Sequence, residues 1–147
     1  MTQPHSIAAR EQIIDTMIKL TRLSNSHRVI VAGGNVEETY DALHRRGFLR
    51  VTTPGICRAP FGRCSIGLVA GQHSLQALEA AIAEISPFLS TAATVAMLID
   101  SRESGFGLKI RERLERAGFR IEAGVRCQSG FVLCAHRQTF SEIAKAA

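Results

Sequence analysis

Apolar positions along the chain change period several times, and each change marks an element. From Ser6 to Leu23 the residues Ile7, Ile14, Met17 and Ile18, joined by Ile13, Leu20 and Leu23, recur at helical spacing, with Arg10, Glu11, Asp15, Lys19 and Arg22 opposite. The spacing predicts a helix that either caps a sheet or packs on a second copy of the chain as a homodimer. The Ser24-Asn25-Ser26 loop ends it. Val29 to Ala32 is instead an unbroken apolar run that stops at Gly33 and Gly34, after which Val36, Tyr40 and Leu43 return to helical spacing. A buried strand, a tight glycine turn and a second helix are expected there.

That second helix carries signals at both ends. Asn35 is a good N-cap residue, Glu38 stands three residues on as in a capping box, and Glu37 and Glu38 suit the positive end of the helix dipole. Arg45 and Arg46 suit the negative end, Gly47 can take the left-handed conformation, and Asp41 is spaced to pair with Arg45. Leu49 to Thr53 alternates as a short strand does. The loop Pro54 to Cys64, with Arg58 and Arg63, reads first as a surface crossover and second as an anion- or nucleic-acid-contacting loop.

Ile66 to Ala70 predicts a third strand, closed by Gly71-Gln72-His73. Ser74 would cap a helix whose apolar positions are Leu75, Leu78, Ile82, Ile85 and Leu89, and Pro87 should end its regular part. Thr94 to Asp100 is apolar without alternation, as a central parallel strand is. Ser104 would cap a helix running to about Ala117, with Gly118 as its stop. Phe119 to Arg126 and Phe131 to Ala135 are strand-like and so closely connected that they can pair only antiparallel. Thr139 to Glu142 repeats the capping-box pattern and predicts a last helical turn.

The fold class expected is α/β: a three-layer Rossmann-like open sheet, mostly parallel, with a C-terminal antiparallel hairpin and an extra N-terminal helix. One domain is expected, with residues 1–26 as helix and loop, 27–137 as the Rossmann-like body and 138–147 as a tail. At 147 residues and 46% hydrophobic the chain can bury an ordinary core. No apolar run approaches the ~18 residues of a membrane span, and the first residues lack a signal-peptide pattern, so a soluble, cytoplasmic protein without membrane association is expected.

The net charge of +5 admits nucleic acid as a partner, although the charges are spread along the chain and Tyr40 is the single Tyr or Trp for base stacking. The stretch Ala42 to Thr52 is locally similar to a winged-helix recognition helix entering its wing, but Val29 to Ala32 is a strand where that fold needs helix. Cys57 and Cys64, and Cys127 and Cys134, have no zinc-knuckle spacing and read as free thiols, so no metal site is expected. No nucleophile elbow, zinc-protease motif or P-loop occurs.

Ligands of open parallel sheets collect at the carboxyl ends of the strands. The residues expected there are Gly33, Gly34 and Asn35, then Gln72 and His73, then Asp100. His73 and Asp100 would suit acid-base work if they met, but a loop histidine beside an acid is more often merely solvated, and no catalytic residue is assigned.

The order of strands and helices from Val29 to the terminal hairpin, including Glu115 to Phe119 (ERAGF) leading into it, resembles the class I S-adenosylmethionine-dependent methyltransferase fold with one helix-strand unit missing. The resemblance spans about residues 27–137 and implies S-adenosylmethionine as the cofactor if one binds. The motifs depart from the family. Ala32-Gly33-Gly34-Asn35 has adjacent glycines and no preceding acid, Thr52-Thr53 stands where an acid would hold the ribose, and Ala70-Gly71-Gln72-His73 replaces the family's Asn-Pro-Pro-Tyr type of motif. A helix start bearing Glu37 and Glu38 opposes NAD or a nucleoside triphosphate more than it opposes a neutral or cationic ligand. The expected function is a methyltransferase-like domain that binds a small ligand or a partner without catalysis. The alternatives are a small active methyltransferase and a basic nucleic-acid-binding module.

Overall fold

In the computed structural model, which describes residues 4–56, 62–72, 74–99, 106–127 and 130–138, the chain opens with helix α1 (Pro4–Thr21). Then follow β1 (Val29–Gly33), α2 (Val36–Arg45), β2 (Val51–Thr52), β3 (Cys64–Gln72) and α3 (Leu75–Ile85). A 3-10 turn (Ser86–Phe88) leads into β4 (Leu89–Ile99), α4 (Phe106–Arg116), β5 (Phe119–Cys127) and β6 (Gly130–Arg137). The six strands make one sheet in the order β2-β1-β3-β4-β6-β5. The first four are parallel, and β6 runs antiparallel to both β4 and β5. The Rossmann-like architecture expected of the sequence is therefore the one the chain adopts.

Alternation along each strand sends successive side chains to opposite faces, and two cores result. Val29, Val31, Ile66, Leu68, Ala96 and Val132 pack under α1 and α2 with Ile14, Met17, Ala42 and Leu43. Ile30, Ala32, Val69, Val95, Met97 and Ala135 pack on the other face with Leu78, Ile82, Ile85, Ile110 and Leu114 of α3 and α4. Ile13, Ile14 and Met17 of α1 are all buried against the sheet. Burying such side chains contributes about 1.5–3 kcal/mol each, which makes α1 an integral part of the domain.

Several predicted ends hold. Ser74 caps α3 by accepting a hydrogen bond from the Ala77 amide at 3.1 Å, and the helix turns 3-10 at Pro87. Gly118 takes φ +87 after α4. Strand lengths differ from the apolar runs. β4 begins at Leu89 rather than Thr94, because ladder pairing with β3, Cys64 opposite Leu89, carries the strand through exposed Thr91 and Ala92. The stretch Ala42 to Thr52 is the end of α2, a turn and the short edge strand β2, which removes the winged-helix reading.

Cys64, Cys127 and Cys134 are buried thiols, and the last two pack under α1, where the Cys134 thiol lies 3.5 Å from the Leu20 carbonyl oxygen. Cys57 and the expected turn at Thr139 to Glu142 lie outside the described residues. Among the described residues no helix is long and apolar enough to cross a membrane.

Candidate functional site

The turn after β1 is built from backbone angles that few residues tolerate. Gly33 has φ +95, and Asn35 sits in the left-handed region at φ 56, ψ 35. Between them, a Cβ on Gly34 would lie 3.1 Å from the Gly71 carbonyl oxygen, so the turn comes close to the end of β3. The left-handed Asn35 corrects the capping expectation. A capping residue normally has extended angles that aim its side chain at the first amides, and here the Asn35 side chain makes no capping bond.

Glu38 does not reach back to Asn35 either. It accepts a hydrogen bond from Arg10 of α1 at 2.6 Å. One of the two carboxylates expected to repel anions at this helix start is thus neutralised, and the start is less hostile to anions than its sequence implies.

Further along α2, Arg45 approaches Glu11 at 3.3 Å rather than pairing with Asp41, and Arg46 bonds Asp15 at 3.0 Å and the Glu11 carboxylate. Burial works to lower the Arg46 pKa, but its bonds to Glu11 and Asp15 and their charge outweigh that and raise it. These pairs lash α1 to α2.

Beneath and beside them lies a crevice of about 370 Å³ at the carboxyl ends of β1, β3 and β4. Asn35, Ala70, Gly71 and Leu98 form its sheet side, Ile13 and Ile14 of α1 its apolar wall, and Thr39 and Asp41 of α2 its polar wall. Asp41 is exposed and has no ion-pair partner among the described residues, whereas the other two acids of the wall, Glu11 and Glu38, are paired. The arrangement suits a compact ligand with an amino group or other cationic centre near Asp41.

Of the residues expected to bind a ligand, the structure brings Gly34 and Asn35 to the same place as Gly71, with Gly33 setting the turn. Gln72 ends β3 opposite Ile99 of β4. His73, Asp100 and Arg58 lie outside the described residues. Arg63 precedes β3 and so stands at the opposite, amino end of the sheet. Sequence reasoning missed Asp41 and the contribution of α1. A usable signal existed for Asp41, since it follows Glu38 by about one helical turn and shares its face.

A larger groove of about 550 Å³ lies between α3 and α4. Its floor is the buried Leu78, Ile110 and Leu114 of the core, bridged by the Glu79–Arg113 ion pair at 3.0 Å, and it reads as the seam between two packed helices.

No family model and no curated protein sequence matches the chain. Solved structures do match over most of its length. A SAM-dependent methyltransferase from Aquifex aeolicus aligns with TM-score 0.59 at 12% identity, covering 92% of this chain and 99% of that one. A 1,6-didemethyltoxoflavin-N1-methyltransferase from Burkholderia thailandensis, with bound 1,6-didemethyltoxoflavin and S-adenosylhomocysteine, aligns with TM-score 0.60 at 12% identity over 95% and 92%. Magnesium protoporphyrin IX methyltransferase from Synechocystis PCC 6803, with bound SAM, aligns with TM-score 0.61 at 10% identity over 89% and 81%. The chain has the Rossmann-like fold of class I S-adenosylmethionine-dependent methyltransferases.

Proposed function

We propose that the chain is a methyltransferase-like domain that takes a small ligand or a partner segment in the carboxyl-end crevice without transferring a methyl group. The observation that carries this reading is the state of the described acids around the crevice, all of which but Asp41 are engaged with arginines. Glu11 and Glu38 are spent on Arg10, Arg45 and Arg46, and at the end of β2 the Thr52 hydroxyl turns to the Thr53 carbonyl oxygen at 3.4 Å where an acid would be needed to hold a ribose. Those residues do not fit S-adenosylmethionine held in the family's manner. A ligand with one cationic centre fits better, with Asp41 as its counter-charge and Asn35 as its hydrogen-bonding neighbour.

Incubation of the protein with methyl-labelled S-adenosylmethionine and cell extract tests the reading. Label in protein, nucleic acid and small-molecule fractions should not exceed that of a heat-inactivated control. Enzyme-dependent label in any fraction would overturn it.

An active methyltransferase is the second reading, favoured by one observation: the crevice is open and lies at the strand ends where ligands of this sheet type bind. It requires submillimolar binding of S-adenosylmethionine or S-adenosylhomocysteine in calorimetry, and no heat of binding up to millimolar ligand removes it.

A further inference from the structure

At the other end of the sheet, the residue directly before each of β1, β2 and β3 is an arginine: Arg28, Arg50 and Arg63. The parallel register gathers them. Val29 pairs with Val51 on one side and Ile66 on the other, so one residue earlier Arg28 stands between Arg50 and Ser65. Backbone bonds reach that far, with the Val29 amide donating to Arg50 at 2.9 Å and the Ser65 amide donating to Arg28 at 3.1 Å. Neighbouring strands are only about 4.8 Å apart. The three arginines, with Ser26 and Ser65, line one open cleft of about 450 Å³.

Like charges directly opposite one another on adjacent strands are destabilising. Here they are left standing. Among the described residues none of the three has an ion-pair partner, whereas Arg10, Arg45 and Arg46 of the α1–α2 layer and Arg111, Arg113 and Arg116 of α4 all do. No Asp or Glu occurs between Asp15 and Glu37, or between Asp41 and Glu79, the stretches that build this end of the sheet. The segments that carry Arg28, Arg50 and Arg63 therefore bring no carboxylate of their own to the cleft.

We propose that this amino-end cleft binds the phosphodiester backbone of a nucleic acid. Guanidinium forks match phosphate oxygens two at a time, and the two serine hydroxyls can donate to the same groups. Among the described residues the lining has no aromatic side chain on which a base could stack, and its arginines and serines suit contact to phosphate, which carries no sequence information. The arginines are exposed rather than enclosed, which suits a polymer lying across the edge better than a small phosphate held in a pocket. The cleft is remote from the carboxyl-end crevice, and the two readings fail separately.

Fluorescence anisotropy of the full chain with a labelled single-stranded RNA or DNA, from 50 to 200 mM salt, tests the proposal. Arg28→Gln/Arg50→Gln/Arg63→Gln is compared with Lys109→Gln/Arg120→Gln/Arg126→Gln, which removes the same charge from exposed positions elsewhere, and melting curves confirm that both fold. The cleft variant should bind roughly tenfold or more weakly, with the slope of log K against log salt reduced by about 2–3, while the control stays within roughly threefold of wild type. Equal losses in both variants, or no binding by wild type at 50 mM salt, would overturn it. So would calorimetric binding of inorganic phosphate or a phosphomonoester with no binding of the polymer.

Discussion

Arg10 of α1 holds Glu38 of α2 at 2.6 Å, across 28 positions of sequence, and so sets the charge at the start of the helix that follows the glycine turn. Both side chains are about half exposed, at 45% and 52%, so the pair itself contributes little to stability. Arg10→Gln is expected to change the unfolding free energy by no more than about 1 kcal/mol. It should nevertheless leave Glu37 and Glu38 unneutralised beside the crevice and favour cationic ligands there. A urea titration checks the first expectation, and a drop well beyond that figure would make the pair a structural clamp on α1.

The glycine turn should be far less forgiving. Gly33→Ala places a Cβ on a residue at φ +95 and should cost roughly 1–2 kcal/mol through backbone strain. Gly34→Ala has a different fault, since its Cβ would sit 3.1 Å from the Gly71 carbonyl oxygen and must push the turn a few tenths of an ångström away from β3. Thermal melts of the two variants should both fall below wild type. An unchanged melt for Gly33→Ala would mean that the turn relaxes to another conformation.

The parts of this architecture that follow from local chemistry are legible in the residues alone. Val29 to Ala32 is apolar because it is a buried strand, Ser74 caps because its hydroxyl lies next to the amides it serves, and the β5–β6 connection is too short for anything but an antiparallel pair. Asn35 failed as a cap because residue type does not fix dihedral angles, and a left-handed residue points its side chain elsewhere. The site itself was only half legible. Asn35 and the glycines come from one stretch, but the walls need α1 laid beside α2, a contact between distant segments that no periodicity encodes. The arginines before β1, β2 and β3 were invisible as a cluster for the same reason, because only strand register brings them together.

Arg46 and Arg45 are adjacent and both reach toward Glu11, yet they should behave very differently. The Arg46 side chain is 20% exposed and bonds Asp15 at 3.0 Å, the Ala42 carbonyl oxygen at 3.0 Å and the Glu11 carboxylate, whereas Arg45 is 69% exposed. The Ala42 carbonyl belongs to the last turn of α2, where helix geometry leaves acceptors unsatisfied. Arg46→Ala is expected to cost about 1–3 kcal/mol and Arg45→Ala under about 0.5 kcal/mol in denaturant titrations. Arg46→Lys should recover less than half of the loss, since one ammonium cannot serve three directions at once. Equal costs for the two alanine variants would show that the guanidinium of Arg46 is not the link between α1 and α2.

Cys134 makes stability depend on alkaline pH in a defined direction. Burial under α1, and secondarily the charge of Glu122, push its thiol up to about 11 from an ordinary 9.0. The folded state therefore keeps the proton after the unfolded chain has begun to lose it. Stability from this group is intact below pH 9 and declines as the pH rises through about 11, because the unfolded state binds fewer protons over that interval. Between pH 8 and pH 10.5 the loss should be on the order of 2 kcal/mol. Urea titrations of wild type and Cys134→Ala at both pH values isolate it, since every other titrating group is shared. The variant should lose less stability than wild type over the interval. Identical losses would mean that the Cys134 thiol titrates alike in the folded and unfolded chain, and that water reaches it beneath α1.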